Sequence, residues 1–334
     1  MTGIMGSKKS LLLVGFLCLL ALLPVVRPPA YFLSFLFKMS LFIILAESWN
    51  VIGGFTGYLS FGHVAFFGIG AYTSAMLFQL VGLSPYLGAL PAGLMASAVA
   101  WVIGYPCLRL KGPYFAVVTL CFAFVMDLAV KNWAFLGGSE GIHLKLVQLD
   151  IQVSRSIFYE IYLALALITV LTVRRVQHSK FGLGLTSIRE DEEVAQTLCI
   201  RTADLKVRAF VLSAFFPGVA GGIYAYYISY LHPDIVFDIN ISILIVLMAL
   251  FGGGSSWLGP LIGAAFLSII NEVLSMFIKP EIARIIYGAM FMAVIIFMPD
   301  GVVAYVRKWA LGRRGAGSSS ASGEGRVQTG ERPC

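Results

Sequence analysis

Long apolar runs constrain this chain more than any other feature of its sequence. They reach about twenty residues, enough for a helix rising about 1.5 Å per residue to cross a hydrocarbon core of about 30 Å. Of the 334 residues, 59% are hydrophobic and only 12% are charged, and a soluble domain of this composition would expose very large apolar patches. A membrane β-barrel would instead alternate in polarity over segments of about ten residues. The sequence therefore predicts an all-α, polytopic membrane protein.

Ten segments have the length and hydropathy expected of membrane-spanning helices. The eighth is short, so we expect it to be tilted or partly unwound. The first follows Lys8 and Lys9 in the manner of a signal peptide, but no small-x-small cleavage pattern comes after it, and we expect a retained helix. The predicted spans are Leu11–Val26, Tyr31–Ile52, Leu59–Val81, Tyr86–Tyr105, Pro113–Val130, Ile157–Val173, Val207–Leu231, Ile239–Phe251, Leu258–Ile278 and Ile282–Pro299.

The distribution of Lys and Arg predicts the orientation of the spans, because the cytoplasmic loops of membrane proteins are enriched in these residues. With ten spans and the N-terminus inside, seventeen of them fall in cytoplasmic segments and six in external segments. We therefore expect both termini in the cytoplasm. Residues 1–311 would form the transmembrane domain, with a long cytoplasmic loop at 174–208. The Gly/Ser-rich residues 312–334 would form a disordered cytoplasmic tail.

Composition and motifs argue against catalysis, metal binding and nucleic-acid binding. The five cysteines and four histidines are scattered, and no cysteine pair has disulfide or zinc spacing, so we expect no metal site. The net charge is +7, but the sequence contains no soluble module with a basic face that could bind nucleic acid. We therefore expect membrane lipid around the chain and no nucleic-acid partner. The sequence contains no GxxxxGK[ST] phosphate loop and no Ser/His/Asp or Cys/His arrangement on its predicted external loops. We expect neither a catalytic residue nor a cofactor bound by this chain.

A cluster of glycines marks the most unusual part of the apolar sequence. Six glycines occupy eighteen positions from Gly53 to Gly70. Irregular backbone at membrane depth persists only where protein or a watery cavity satisfies its polar groups, so we predict a helix break beside a permeation path. Close packing of ordinary membrane helices is the structural alternative. Intramembrane polar residues are also candidates, because they are costly in lipid. The candidate path residues are Glu47, Asn50, Gly57, Ser60, Gly62, His63, Phe66, Gly68 and Tyr72.

Two intramembrane acids admit a simpler explanation than a role in permeation. Glu47 falls near the inner end of the second predicted span and Asp127 near the outer end of the fifth. At either position a carboxylate can meet water or a lysine at the membrane interface. The sequence leaves both interpretations open.

The seventh predicted span contains Pro217, Gly218, Gly221 and Gly222 at its middle. Proline removes a main-chain hydrogen bond from a helix, so we expect a kink there. A kinked helix beside a Gly-rich one suits a gate that moves between two states, and we state this gate as a hypothesis.

The long cytoplasmic loop predicts a short amphipathic helix. Ser187 has the character of an N-cap with Glu190 as its capping-box partner, and four consecutive acids would occupy the first turns, where the helix dipole favours anions. Apolar residues would gather on one side of this helix. Interfacial helices usually carry Lys and Arg, so docking into a groove of a partner protein fits better than lying on lipid. The predicted docking residues are Ser187, Ile188, Arg189, Glu190, Asp191, Glu192, Glu193, Val194 and Leu198.

From Tyr31 to Pro299 the chain resembles the permease subunits of bacterial branched-chain amino-acid ABC importers. One departure from the family is Cys199, at a position where glycine is common. The resemblance rests on GYLSFGHVAFFGIGAY at 57–72, RLKGPY at 109–114, IREDEEVAQTLCI at 188–200, GVAGGIYAY at 218–226 and FGGGSSWLGPLIGA at 251–264.

The resemblance implies a non-enzymatic transport subunit of the bacterial inner membrane. Its partners would be a second related permease, two cytoplasmic ATPases that use ATP and Mg, and a periplasmic substrate-binding protein. The loop at 188–200 matches the segment by which such permeases engage the ATPase. A permease for urea or short amides would share these features. A secondary transporter driven by an ion gradient is a further alternative, with Glu47 or Glu272 as the ion relay.

The resemblance also suggests where a branched-chain amino acid would pass. A half-helix N-terminus at 57–62, capped by Ser60, would attract the carboxylate of the substrate through its free N–H groups and its dipole. Aromatic residues such as Phe66 and Tyr72 would line an apolar passage. The external segments Lys131–Tyr159 and His232–Asp238 are the expected docking surfaces for the binding protein, and their charges nearly balance.

Overall fold

Helices form nearly all of the computed structural model, as the apolar runs predict. Two short strands pair antiparallel, with Ile142 opposite Leu231. In chain order the elements are α1 (Ala30–Thr56), α2 (His63–Val81), α3 (Pro85–Cys107), α4 (Pro113–Asn132), β1 (Ile142–His143), α5 (Ile151–Gln177), α6 (Lys180–Glu190), α7 (Glu192–Thr197), α8 (Thr202–Ile228), β2 (Tyr230–Leu231), α9 (Pro233–Val236), α10 (Ile239–Gly252), α11 (Leu258–Phe277) and α12 (Pro280–Phe297), with 3-10 turns at Ala134–Leu136 and Gly138–Glu140.

Seven helices of the described part of the chain are long and apolar enough to cross a membrane. The apolar part of α11, Leu258–Leu274, is shorter than these seven. Ten spans and the cytoplasmic placement of both termini are therefore not confirmed. The predicted span Leu11–Val26 and the predicted tail 312–334 lie outside the described residues. The structure describes residues 28–144, 150–277, 279–297 and 301.

The short eighth predicted span is extended by a separate turn of helix. α10 has 14 residues, but together with α9 it forms an apolar segment of 20 residues, Pro233–Gly252. The junction lies at Asp238, whose carboxylate caps α10 by accepting a hydrogen bond of 3.0 Å from the backbone N–H of Asn240. The interruption expected from the short apolar run is therefore a capped break between two helices.

α8 lies at the centre of the bundle and packs against α1, α2 and α3. Its contact with α2 depends on glycines that let two backbones touch. A Cβ added at Gly221 would lie 1.9 Å from the carbonyl oxygen of Phe67, and one added at Gly70 would lie 2.0 Å from the carbonyl oxygen of Gly218. The structural alternative for these glycines, close helix packing, is thus confirmed at this crossing.

The bundle has two ends that differ in structure. α5 and α8 each have 27 residues, or about 40 Å of helix, so their two ends lie far apart. One end carries α6 and α7, which connect α5 to α8, and we name it the near end. The other carries the β1–β2 pair and α9, and we name it the far end.

Candidate functional site

The predicted helix break is present at the near end. α1 ends at Thr56, and Gly57 follows it in the left-handed conformation at φ 77°, with its N–H bonded to the carbonyl of Gly53. α2 begins only at His63, four residues later than the predicted start at Leu59. Glycine adopts this conformation at no steric cost, which is why the motif can end one helix and begin the next within six residues.

Side chains from three helices form hydrogen bonds with the backbone of this break. From α1, the indole N–H of Trp49 donates a 2.7 Å hydrogen bond to the carbonyl of Ser60. From α4, the hydroxyl of Thr119 accepts one of 3.1 Å from the N–H of Phe61. From α10, the hydroxyl of Ser242 donates one of 2.7 Å to the carbonyl of Phe61. The irregular backbone is therefore satisfied by protein, as its burial requires.

The N-terminus of α2 is already occupied by the chain itself. Gly62 is the N-cap and has no side-chain cap, so the prediction that Ser60 caps this helix is wrong. The buried hydroxyl of Ser60 accepts from the N–H of Gly62 at 3.3 Å, and the hydroxyl of Ser242 accepts from the N–H of Val64 at 3.3 Å. These contacts occupy two of the backbone donors at this helix start, and binding of a substrate carboxylate there stays a prediction.

Glu47 and Asn50 belong to α1 and lie against α11 and the segment that joins α10 to it. Both side chains are fully buried, and the amide of Asn50 donates to the carbonyl of Ser256 at 3.2 Å. The N–H of Leu261 lies close to Glu47, but no described group completes a hydrogen bond to either carboxylate oxygen. The interpretation that Glu47 meets water or lysine at an interface is therefore wrong. For Asp127 the lysine contact is confirmed, since Lys131 lies 2.7 Å away.

The remaining path candidates lie in the core of the subunit. His63, Phe66 and Tyr72 expose no more than 3% of their surface. A Cβ added at Gly68 would lie 2.3 Å from the ring of Phe237. In this structure these residues pack against helices of their own chain, so their place along a permeation path stays a prediction.

The near-end loop forms two helices in place of the one predicted. α6 begins after Ser179, whose hydroxyl accepts from the N–H of Gly182 at 3.2 Å. Ser187 is not an N-cap, because it lies in the last turn of α6 and its hydroxyl donates to the carbonyl of Leu183. The N-cap of α7 is Asp191, which accepts two backbone hydrogen bonds. An aspartate followed by two glutamates suits a helix start, since both the cap and the dipole favour anions there.

The apolar residues of this loop do not share one face, in contrast to the prediction. Ile188 and Ala195 are buried, whereas Val194 exposes 53% and Leu198 exposes 69% of their surface. Cys199 follows with φ 58°, in the left-handed region that favours glycine. Cys199 therefore makes a left-handed turn that glycine would make at no steric cost.

A buried ionic network joins α7 to the helix break. The ammonium of Lys206, on α8, lies 2.6 Å from a carboxylate oxygen of Glu192 and donates hydrogen bonds of 3.0 Å to the Tyr58 hydroxyl and the Leu108 carbonyl. The Tyr58 hydroxyl donates to the other oxygen of Glu192 at 2.6 Å. The Lys206 side chain is 5% exposed and that of Glu192 is 14% exposed. Glu192 therefore anchors the loop to the spans and does not face a partner.

The network shifts the acidity of its members. Burial raises the pKa of Glu192, but hydrogen bonds from Lys206 and Tyr58 and the charge of Lys206 outweigh it and leave this pKa below its ordinary value. Burial, followed by the hydrogen bond to Glu192, raises the pKa of the Tyr58 hydroxyl. At neutral pH Glu192 is a carboxylate, bound by the ammonium of Lys206 and by the neutral phenol of Tyr58.

The stabilising effect of Glu192 is expected to disappear in acid. A carboxylate whose pKa is lowered by folding stabilises the protein above its unfolded pKa, and this stability is lost as the pH falls through the folded pKa. Thermal unfolding of the purified protein and of Glu192→Gln checks this. Near neutral pH the wild type should melt higher, and the difference should shrink as the pH falls below the ordinary glutamate value of 4.5. A difference that is constant with pH would contradict it.

Two further contacts attach the loop at its edges. A guanidinium nitrogen of Arg189 donates to the carbonyl of Gly54 at 2.9 Å, at the C-terminal end of α1, where the helix dipole favours a cation. Glu193 pairs with Lys111 at 3.0 Å, and both side chains are exposed. Of the predicted docking residues, Arg189 and Glu192 thus face the bundle, together with the buried Ile188.

Pro217 and Gly222 lie inside α8, which runs unbroken past both of them. A Cβ at Gly222 would lie 2.9 Å from the Cβ of Ala92 on α3. Like Gly218 and Gly221, Gly222 serves close packing in this structure. The gating role predicted for these residues stays a prediction.

The loops at the far end form one surface. Lys131, at the end of α4, bridges Asp127 at 2.7 Å and Asp234 of α9 at 2.5 Å. The hydroxyl of Tyr230 donates to the carbonyl of Glu140 at 2.8 Å. The two segments predicted to receive a binding protein are thus joined by an ion bridge, a hydrogen bond and the β1–β2 pair.

Sequence reasoning missed Lys206, Thr119 and Ser242. Lys206 stands at the border of a predicted span, where a lysine usually reaches water. The sequence did contain one signal for this network, which is Tyr58 in the Gly-rich motif. A tyrosine hydroxyl needs a hydrogen-bond partner when it is buried. The partner itself is 148 residues away in sequence and is visible only in the fold.

These features define a multi-pass membrane protein with an exposed loop locked onto a break between two spans. The family described as "Branched-chain amino acid transport system / permease component" matches residues 31–295. The chain belongs to this family and is a permease component of a transport system.

Curated relatives cover most of the chain. The high-affinity branched-chain amino acid transport system permease protein LivM of Escherichia coli is 28% identical over 294 residues, covering 80% of this chain and 68% of LivM. The corresponding protein LivH of the same organism is 23% identical over 300 residues, covering 82% and 96%. A probable LivM of Methanocaldococcus jannaschii is 20% identical over 311 residues, covering 79% and 90%. No solved structure matches the chain.

Proposed function

We propose that this chain is a permease subunit of an ATP-driven ABC importer that moves branched-chain amino acids inward across the bacterial inner membrane. Membership of the family supports the transport role, and the names of its relatives supply the substrate class. The contact of Glu192 and Lys206 with Tyr58 carries the coupling part of the proposal, because it ties an exposed loop to a helix break inside the bundle.

In this proposal the near end lies in the cytoplasm, together with both termini, and the far end faces the periplasm. The partners are a second related permease, two cytoplasmic ATPases and a periplasmic substrate-binding protein. Similarity to both LivM and LivH supports the pairing of two related permeases. ATP and Mg belong to the ATPases, and this chain supplies neither a nucleotide site nor a catalytic residue.

The ATPase would bind the outward face of α6 and α7. This face carries three exposed apolar side chains, Leu183, Val194 and Leu198, with the exposed Glu190 among them. Apolar anchors surrounded by charge are typical of a helix that docks into a groove. In this proposal the inward-facing residues of the loop position the docking face and do not form it.

Movement of the loop would reach the spans through its buried contacts. Glu192 binds Tyr58 within the break, and Arg189 of α6 binds the carbonyl of Gly54 in the last turn of α1. Lys206 extends the connection to α8 and to the Leu108 carbonyl after α3. A displacement of α6 and α7 by the ATPase would therefore act on α1, the break and α8 together, which is what coupling requires of the permease.

The double substitution Val194→Asp with Leu198→Asp is expected to uncouple the importer. Two exposed apolar anchors become charged, and anchors of this kind contribute about 2 kcal/mol or more each to an interface, so the ATPases should bind at least about tenfold more weakly. Purification of the complex in detergent and leucine uptake into proteoliposomes measure the effect. Retention of the second permease is the internal control, and normal uptake with both ATPases retained would refute the docking face.

A further inference from the structure

Tyr72 carries an unsatisfied hydroxyl at the far end of the bundle. The residue is 3% exposed, and its ring stacks on Phe237 with the ring centroids 6.0 Å apart. Its hydroxyl has no hydrogen-bond partner among the described residues. A buried tyrosine hydroxyl normally has a partner, so this one is available to a ligand.

Asp127 has a similarly unsatisfied oxygen in the same region. Its Oδ2 accepts from the ammonium of Lys131 at 2.7 Å, whereas its Oδ1 is buried and has no partner among the described residues. Lys131 also binds Asp234 at 2.5 Å, and His232 lies 3.4 Å from the other oxygen of Asp234, so two acids share one lysine beside a histidine. The cluster thus keeps one carboxylate oxygen without a partner among the described residues.

These groups belong to one cluster, because they come from three elements that pack together. α9 contacts both α2 and α4. The ring of Tyr72 stacks on Phe237, the C-cap residue of α9, and Asp234 of α9 binds Lys131. A free acceptor, a free hydroxyl and a shared ammonium are therefore gathered at the end that would face the periplasm.

We propose that this cluster binds the charged head group of an α-amino acid. The substrate ammonium would donate to the free oxygen of Asp127. The substrate carboxylate would accept from the Tyr72 hydroxyl and from Lys131. The inference rests on the proposed transport function and sharpens it, because urea or a short amide carries neither charge.

Equilibrium binding of radiolabelled leucine to the whole importer complex in lipid nanodiscs tests the site, without ATP and without the binding protein. Unlabelled leucine should displace the label. Leucinol, which lacks the carboxylate, and 4-methylvalerate, which lacks the ammonium, should each compete at least about tenfold more weakly, because each loses charge-assisted hydrogen bonds. Equal competition by all three compounds would overturn the proposal.

Matched variants connect this binding to the cluster. Tyr72→Phe should weaken leucine binding about 3- to 10-fold, as the loss of a hydrogen bond predicts, and Asp127→Asn should weaken it further. The control is Tyr226→Phe, which removes a buried hydroxyl that is already bonded to the carbonyl of Ser74 at 3.0 Å. It should lower the melting temperature and leave leucine affinity unchanged.

The outcomes separate this inference from the proposed function. If the wild-type complex performs no ATP-driven leucine uptake, the function itself is wrong. If uptake is normal but Tyr72→Phe and Asp127→Asn bind leucine like the wild type, only the head-group site is wrong. Both variants must melt as single folded species, and Tyr72→Phe alone suffices for the test if Asp127→Asn does not fold.

Discussion

We expect the substitution Lys206→Met to abolish ATP-driven leucine uptake, although methionine is similar to lysine in length. The substitution leaves the Glu192 carboxylate without its ammonium and removes the donor to the Leu108 carbonyl. Removing one partner of a buried ion pair costs about 3–5 kcal/mol, because the other charge stays buried and uncompensated. The uptake rate in proteoliposomes and the melting temperature of the purified complex measure the two effects.

Lys111→Met is the matched control for Lys206→Met. Lys111 also pairs with an acid of α7, at 3.0 Å, but its side chain is 59% exposed and that of Glu193 is 80% exposed. Solvent screens exposed pairs and they contribute little to stability, so this variant should transport and melt nearly as the wild type does. Comparable losses in the two lysine variants would mean that burial of the Lys206 pair is unimportant.

A double variant separates the role of Lys206 in positioning α7 from its contribution to the stability of the protein. Lys206→Met with Glu192→Leu removes both charges, and an apolar pair in place of a buried ion pair is often neutral in stability. We expect the melting temperature to recover while uptake stays low, because the connection of α7 to Tyr58 is still missing. Recovery of both would show that Lys206 matters only for stability, and the proposed route from loop to spans would be wrong.

The helices and the break could be predicted because their causes are local. An apolar run of sufficient length must become a helix in lipid. Glycine at a left-handed position ends a helix, as Gly57 does at φ 77°. These effects depend only on residues that are neighbours in the chain, so the sequence alone is enough to predict the helices and the break.

The error in the near-end loop came from two competing local signals. Ser187 and Asp191 both qualify as N-caps, and the capping-box pattern favoured Ser187. The structure selects Asp191, because the chain from Ser179 onwards is already helical and buries Ile188 against the spans. The choice between two acceptable caps was decided by packing, which the local pattern does not contain.

The contacts of the candidate site could not be predicted for a different reason. Lys206 meets Tyr58 across 148 residues, and Ser242 reaches Phe61 across 181. Such pairs form only after three or more helices have packed. The same holds for the N–H of Val64 at the start of α2, which is bonded to Ser242, 178 residues away.

Replacing Gly221 by alanine should produce a large loss of stability, although it adds only one methyl group. The new Cβ would lie 1.9 Å from the carbonyl oxygen of Phe67, and real Cβ atoms essentially never approach closer than 3.0 Å. The obstacle is helix backbone, which cannot rotate away as a side chain can, so α2 and α8 must separate along their contact. Overpacking usually costs about 1–3 kcal/mol, and a backbone obstacle places this variant at the upper end or beyond.

Gly288→Ala is the control for Gly221→Ala, because Gly288 lies in α12 and no atom stands within 4 Å of its added Cβ. Alanine favours a helix over glycine by about 1 kcal/mol in water, so Gly288→Ala should melt at the same temperature as the wild type or higher. Melting temperatures of the two purified variants decide the matter. If Gly221→Ala melts like Gly288→Ala, the two backbones do not touch, and the glycines of α8 are free for the gating movement that the sequence suggested.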